Sequence, residues 1–163
     1  MEEKLSKDVA PGAGRDSRFQ TKSVLSKIIP AVPAGSCKFP AAERLKSRYH
    51  ISGLIQKGKT VSQDGFTLFY YPTSLPLPVP VQLLLLAPKR VFRAAPERNY
   101  QKRILREIWR KNRQPLLDIL LQQQEQYAIG LLSKNKTASF AQAEKTIIYL
   151  LAKCAERLRK VKP

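Results

Sequence analysis

Residues 89–113 constrain this chain more than any other stretch. They hold ten basic residues (Lys89, Arg90, Arg93, Arg98, Lys102, Arg103, Arg106, Arg110, Lys111 and Arg113) against Glu97 and Glu107, a net +8. Pro96 stands where a helix can start, because a first-turn residue needs no N–H partner, and the next proline is Pro115. At about 100° per residue, Arg98, Lys102, Arg113, Arg106, Arg110 and Arg103 share an arc of roughly 140°. Asn99 falls inside that arc. Ile104, Leu105 and Ile108 fill the opposite side, with Tyr100 at its edge. Trp109 projects beside the cations, where it packs against a sheet or the last helix, or stacks on a base.

Such a helix must bury one face and offer the other to negative charge. Arg98, Lys102, Arg106 and Arg110 form an i,i+4 ladder of like charge, which costs stability unless anions fill the arc. Arginine dominates the arc, and its planar fork suits bidentate phosphate contact. The whole chain agrees, with a net charge of +18 and a pI near 10.3. A polyanion partner is expected, and nucleic acid suits this face better than a membrane. The apolar side carries few bulky residues and is interrupted by Gln101 and Asn112.

Around this helix the pattern changes several times. Residues 1–38 mix Lys, Ser, Ala, Pro and Gly without periodicity and read as a flexible basic tail. Residues 39–163 read as one domain. Ser47 can cap a helix that stops at Gly58, with Ile51, Leu54 and Ile55 on one face. Residues 65–71 form an aromatic-rich strand, with Phe69 and Tyr71 on one face and Phe66 on the other. A proline-rich link at 75–80 leads into an apolar strand at 81–86. Beyond Pro115, residues 116–121 add a turn or two of helix, and residues 127–132 form another strand. A last helix starts at Ser139, in a capping pattern with Gln142. Its apolar stripe is Phe140, Ala143, Ile147, Leu150, Leu151, Cys154 and Leu158. The order is helix, strand, strand, helix, strand, helix: a small α/β layer fold.

Other chemistries find little support. Cys37 and Cys154 stand far apart and His50 is the single histidine, so a structural zinc site of about four ligands is not expected. The cysteines suit a reducing, cytoplasmic setting. The amino terminus is charged rather than apolar, and the longest apolar run, 75–88, is broken by four prolines. No phosphate loop and no nucleophile paired with a base is evident, so no catalytic residue is assigned to the protein.

Ala87-Pro88-Lys89-Arg90, followed by Arg98-Asn99-Tyr100-Gln101-Lys102-Arg103-Ile104-Leu105-Arg106-Glu107, closely resembles the hallmark of the bacterial ribonuclease P protein family. That family carries Arg-Asn-Arg, two residues, then Arg and Arg-Glu on a helix after a strand ending in Lys-Lys or Lys-Arg. Phe39-Pro40, Glu43-Arg44-Leu45, Gly58 and Phe66-x-Leu68-Phe69 fall in the family's order, so the resemblance covers roughly residues 39–158. It implies a two-layer α+β sandwich: a mixed four-stranded sheet with packed helices and a left-handed βαβ crossover. The fourth strand would lie around residues 59–62. The resemblance further implies that Lys89, Arg90, Arg93, Arg98, Asn99, Lys102, Arg103, Arg106 and Arg110 face the ribonuclease P RNA. A cleft holding Ile51, Ile55, Phe66 and Phe69 would take the single-stranded 5′ leader of precursor tRNA. Hydrolysis, with magnesium, would belong to the RNA, leaving the protein a monomeric subunit of an endoribonuclease that matures tRNA 5′ ends.

Two departures stand out. Tyr100 replaces the second arginine of the motif. Ile51 and Ile55 replace aromatic residues, which implies less base stacking and more aliphatic contact. Taken on spacing alone, Ile51 and Ile55 are ordinary core residues, as is Phe66. The rival readings are a structural, ribosomal-type RNA-binding protein and a DNA-binding module.

Overall fold

The computed structural model describes residues 39–136 and 139–160. The tail, with Cys37, lies outside the described residues. The described chain begins with a short 3-10 turn, Ala41–Glu43, followed by helix α1 (Arg48–Lys57). Strands β1 (Lys59–Gln63), β2 (Phe66–Pro72) and β3 (Val81–Leu86) come next. Helices α2 (Ala95–Asn112) and α3 (Gln114–Gln123), strand β4 (Tyr127–Ser133) and helix α4 (Phe140–Lys160) complete it. The fold is α+β, with one mixed sheet in the order β1-β2-β4-β3.

β1 and β2 form a hairpin because Asp64 and Gly65 both take positive φ, 46° and 79°, as a two-residue turn matching strand twist requires. A side chain at Gly65 would also strike Asn135, whose Nδ2 lies 2.4 Å from the Cβ position. β4 pairs antiparallel with β2 and parallel with β3, placing Gly130 between Phe69 and Leu84. The parallel pair is joined through α2 and α3. The link at 75–80 is braced by one side chain. Gln126 accepts from the Leu75 N–H at 2.9 Å and donates to the carbonyls of Leu77 and Val79 at 3.0 and 2.9 Å.

The two faces of the sheet are covered unequally. On one, Val61, Leu68, Tyr70, Leu83, Ile129 and Leu131 pack against Leu105, Ile108 and Trp109 of α2, Leu116 and Leu120 of α3, and Ile147, Leu150 and Cys154 of α4. On the other, α1 sets Leu54 against Ala128, with Ile51, Phe69, Tyr71 and Leu84 packed around them. The segment before α1 wraps the β3 edge as a strap: Phe39 packs toward the first cluster, Leu45 belongs to the second, and the Leu45 N–H bonds the Leu83 carbonyl at 3.0 Å. Glu43 of this strap forms a buried ion pair with Arg113, between α2 and α3.

Several expectations are refined here. Gly58 ends α1, yet its φ is −66°, so it is not the left-handed stop that glycine often supplies. Space is the reason, because a Cβ there would sit 2.1 Å from the Leu54 carbonyl oxygen. Ser47 occupies the N-cap position without a side-chain cap bond. α3 has ten residues rather than a turn or two, since Pro115 lies in its first turn, where proline is tolerated. Phe140 is 36% exposed rather than part of the buried stripe, and the Lys111 ammonium lies 5.2 Å from its ring centre.

Candidate RNA interface

α2 starts from Ala94, which offers no side-chain cap, and carries Pro96 in its first turn. Gln101, Ile104, Leu105, Ile108 and Trp109 face inward. Gln101 is held there by its Nε2, which donates to Ser133 Oγ at 3.0 Å. Asn99, Arg103, Arg106 and Lys111 are exposed, and Lys102 is half-buried. Tyr100 is 64% exposed, well clear of the packed side whose edge it was expected to occupy.

Three arginines of the expected arc are engaged within the protein. Arg98 donates Nη1 to the carbonyls of Phe92 and Arg93, at 3.0 and 2.8 Å. It thus braces the turn that follows β3, a structural duty that its position on the helical wheel did not suggest. Arg110 pairs with Glu107, its Nε donating at 2.8 Å, and that hydrogen bond first of all holds the Glu107 carboxyl below its usual range. Arg113 leaves the arc altogether. The helix stops at Asn112, and Arg113, 3% exposed, turns inward to Glu43. Burial pushes the Glu43 carboxyl up, and the Arg113 charge opposes that shift.

The turn after β3 carries further cations. Its backbone closes through Val91 and Phe92 N–H groups on the Pro88 carbonyl, at 3.1 and 3.0 Å, and buried Phe92 anchors it. Lys89, Arg90 and Arg93 are left exposed on it. The Phe92 anchor was not anticipated from the sequence; a lone aromatic among cations was its signal.

The less covered face leaves apolar side chains half-open beside α1. Gly130 lets the helix close in, since a Cβ there would stand 3.2 Å from Leu54 Cδ2. Gly53 likewise lies over the Tyr71 ring, 3.3 Å from its Cβ position. Ile51 and Phe69 are half-buried here, and Ile55 is 55% exposed. Phe66 is a correction. It is 7% exposed and packs on the opposite face with the helices, because strand alternation sets it apart from Phe69. Leu84, Leu86 and Leu132 were not anticipated, yet they are half-buried and share the Phe69 face by register. Their apolar run looked like plain core; only the unequal covering of the sheet distinguishes them. The floor they form runs along β3 toward Lys89 and Arg90.

His50 receives or gives one hydrogen bond, to Thr73 Oγ1 at 3.2 Å, and no acid completes a catalytic arrangement there among the described residues. Among those residues no group of three or more His, Cys, Asp or Glu could hold a metal ion. No described helix is long and apolar enough to cross a membrane.

A family model described as Ribonuclease P matches residues 39–155. The ribonuclease P protein components of Borrelia duttonii (strain Ly) and Borrelia recurrentis (strain A1) are each 36% identical over 67 residues, 41% of this chain and 55% of theirs. The chain thus spans about half the length of the curated relatives it matches. The Staphylococcus aureus RNase P protein structure superposes with a TM-score of 0.56 at 18% identity, covering 69% of this chain and 94% of that one. For the Thermotoga maritima RNase P protein the TM-score is 0.55 at 20% identity, covering 68% and 96%. At these identities the likeness speaks for the α+β fold alone. The family match, running from the strap almost to the end of α4, decides the question: this chain belongs to the ribonuclease P protein family.

Proposed function

We propose that this chain is the RNA-binding subunit of ribonuclease P, promoting endonucleolytic removal of the 5′ leader from precursor tRNA. One observation carries the reading: within the family match, an apolar floor on the half-covered sheet face runs along β3 to the exposed cations of the turn that follows it. Lys89, Arg90, Arg93, Lys102, Arg103 and Arg106 are the cations assigned to the phosphates of the ribonuclease P RNA, with Asn99 beside them. Arg98 and Arg110 support that surface, one by bracing the 88–94 turn and the other through Glu107.

The leader is assigned to the half-covered sheet face. A single strand can lay unpaired bases on Ile55, Phe69, Leu84 and Leu86, whereas a duplex keeps its bases stacked inside. A mostly aliphatic floor favours contact without sequence readout. One ring, Phe69, supplies stacking worth about 1–3 kcal/mol per base. Magnesium-assisted hydrolysis is assigned to the RNA, so the protein contributes position and charge neutralisation rather than a reacting group.

The test is cleavage of a leader-bearing precursor tRNA by the cognate ribonuclease P RNA at low magnesium, with and without this protein. Cleavage that needs both components supports the subunit role. Tight RNA binding without enhancement favours a structural RNA-binding protein instead. If about six phosphates are neutralised, log affinity should fall against log salt with a slope of roughly −4 to −5. A salt-independent affinity would remove the phosphate role from these residues.

A further inference from the structure

A second cationic stripe lies outside the surface described so far. On α4, Lys145, Tyr149, Lys153 and Arg157 recur at i,i+4 and are all exposed, Tyr149 by 46%. Consecutive members stand about 6 Å apart along the axis, so the stripe is about 18 Å long. The Lys153 ammonium sits 5.6 Å from the Tyr149 ring centre. Arg157 reaches across to the sheet edge, where its Nη1 donates to the Thr60 carbonyl at 3.0 Å. Lys59, exposed, adds a further cation on β1, on the same strand face as buried Val61 and therefore on the α4 side.

Of the nearby carboxylates, Glu156 is held below the usual carboxylate range by Lys160 first, and the Lys153 and Arg157 charges add to that. Glu144 accepts from Asn112 Nδ2 at 3.2 Å, toward α2, and Glu156 pairs with Lys160 at 2.6 Å. Lys153 and Arg157 are like charges at i,i+4, which repel on a solvated helix, so the pair fits a surface that meets anions. An exposed ring inside it suits a strand that offers both phosphates and bases. Position separates this stripe from the first. α4 packs over β1 and β2 and α2 over β3, and β1 and β3 are opposite edges of the sheet. The edges are about 14 Å apart by strand spacing alone.

We propose that Lys59, Lys145, Tyr149, Lys153 and Arg157 form a further RNA-binding surface, which contacts a different RNA segment from those assigned to α2 and to the open sheet face. The inference shares the RNA-binding reading of the family but rests on separate residues. Through two surfaces at opposite edges, one small protein can hold two RNA segments at a fixed separation.

The experiment titrates the full chain with a labelled, mixed-sequence single-stranded RNA across a range of salt. It compares Lys145→Ala/Lys153→Ala with Arg103→Ala/Arg106→Ala and with the quadruple variant. Arg157 is left in place because it holds the β1 edge. The α4 pair should weaken binding and make the salt slope shallower by about 1.4, the value for two lost single-strand phosphate contacts. Its effect should add to that of the α2 pair. Unchanged affinity and slope, with an intact cooperative melt, would overturn this further surface. So would binding of polyglutamate in place of RNA, which would assign the stripe to an acidic protein. An effect of the α4 pair without one of the α2 pair would sink the α2 assignment and leave this surface standing.

Discussion

The two faces of the sheet divide the molecule's work. The face under α2, α3 and α4 is sealed: Leu68, Leu105, Ile108, Leu120, Ile129 and Ile147 are all fully buried. The face under α1 is sealed at Leu54 and Ala128 but leaves Ile51, Phe69 and Leu84 partly open. Burial contributes in proportion to the apolar area removed from water, so the helical face supplies most of the stability. The open face gives up part of that stabilisation and leaves apolar surface in contact with solvent. One sheet thus separates what holds the fold from what is available to bind, and substitutions on the two sides should report different quantities.

The largest effect should come where the two regions are tied together. Glu43→Ala leaves Arg113 buried without its carboxylate and should cost about 3–5 kcal/mol in denaturant unfolding. Replacing both residues with apolar ones of similar volume should restore most of that loss. A small loss from the single variant would mean that the strap is not anchored by this pair. Next comes the sealed face, where Leu105→Ala should cost about 2–5 kcal/mol, a cavity effect visible in the same measurement. The contrast on the open face is Ile55→Ala, whose side chain is already largely solvated. Its stability should change by less than about 1 kcal/mol. Affinity for precursor tRNA should fall more than affinity for leaderless tRNA, and an equal fall for both would dissociate Ile55 from the leader.

The smallest effect is chemical and again belongs to the sealed face. Burial pushes the Cys154 thiol from an ordinary 9.0 up to about 12. Between those values the unfolded chain loses its proton while the folded one keeps it, so stability falls as pH rises through that window. Below pH 9 the contribution is fully present. Native protein at pH 8 should react with a thiol reagent at Cys154 only as fast as it opens, and fast labelling without unfolding would contradict its burial.

Much of this contrast could be read from residue order. Alternation separates Phe66 from Phe69, and the inward side of α2 was visible in Ile104, Leu105 and Ile108. What escaped were features of tertiary origin. A helical wheel treats Arg113 as one more cation, because nothing local marks the residue where α2 stops. Arg98 looked equally free, since its acceptors are carbonyls of a turn that regular periodicity does not describe. Phe66 was placed in the cleft by the resemblance while strand alternation pointed away from it, and the geometry follows alternation. Leu84, Leu86 and Leu132 sat in apolar runs, which specify burial without saying which side of a sheet remains uncovered.

The strand order carries a consequence in time. β1 and β2 are joined by a two-residue turn and can zip together locally, in about 1–10 μs. β4 is different, since it supplies the second partner of β2 and the sheet partner of β3, yet it follows both α2 and α3 in the chain. A chain emerging from the ribosome therefore displays the inner edges of β2 and of the apolar strand β3 unpaired until residue 133 has been made. That interval, rather than any weakness of the finished fold, is when this protein is most open to pairing with the wrong strand.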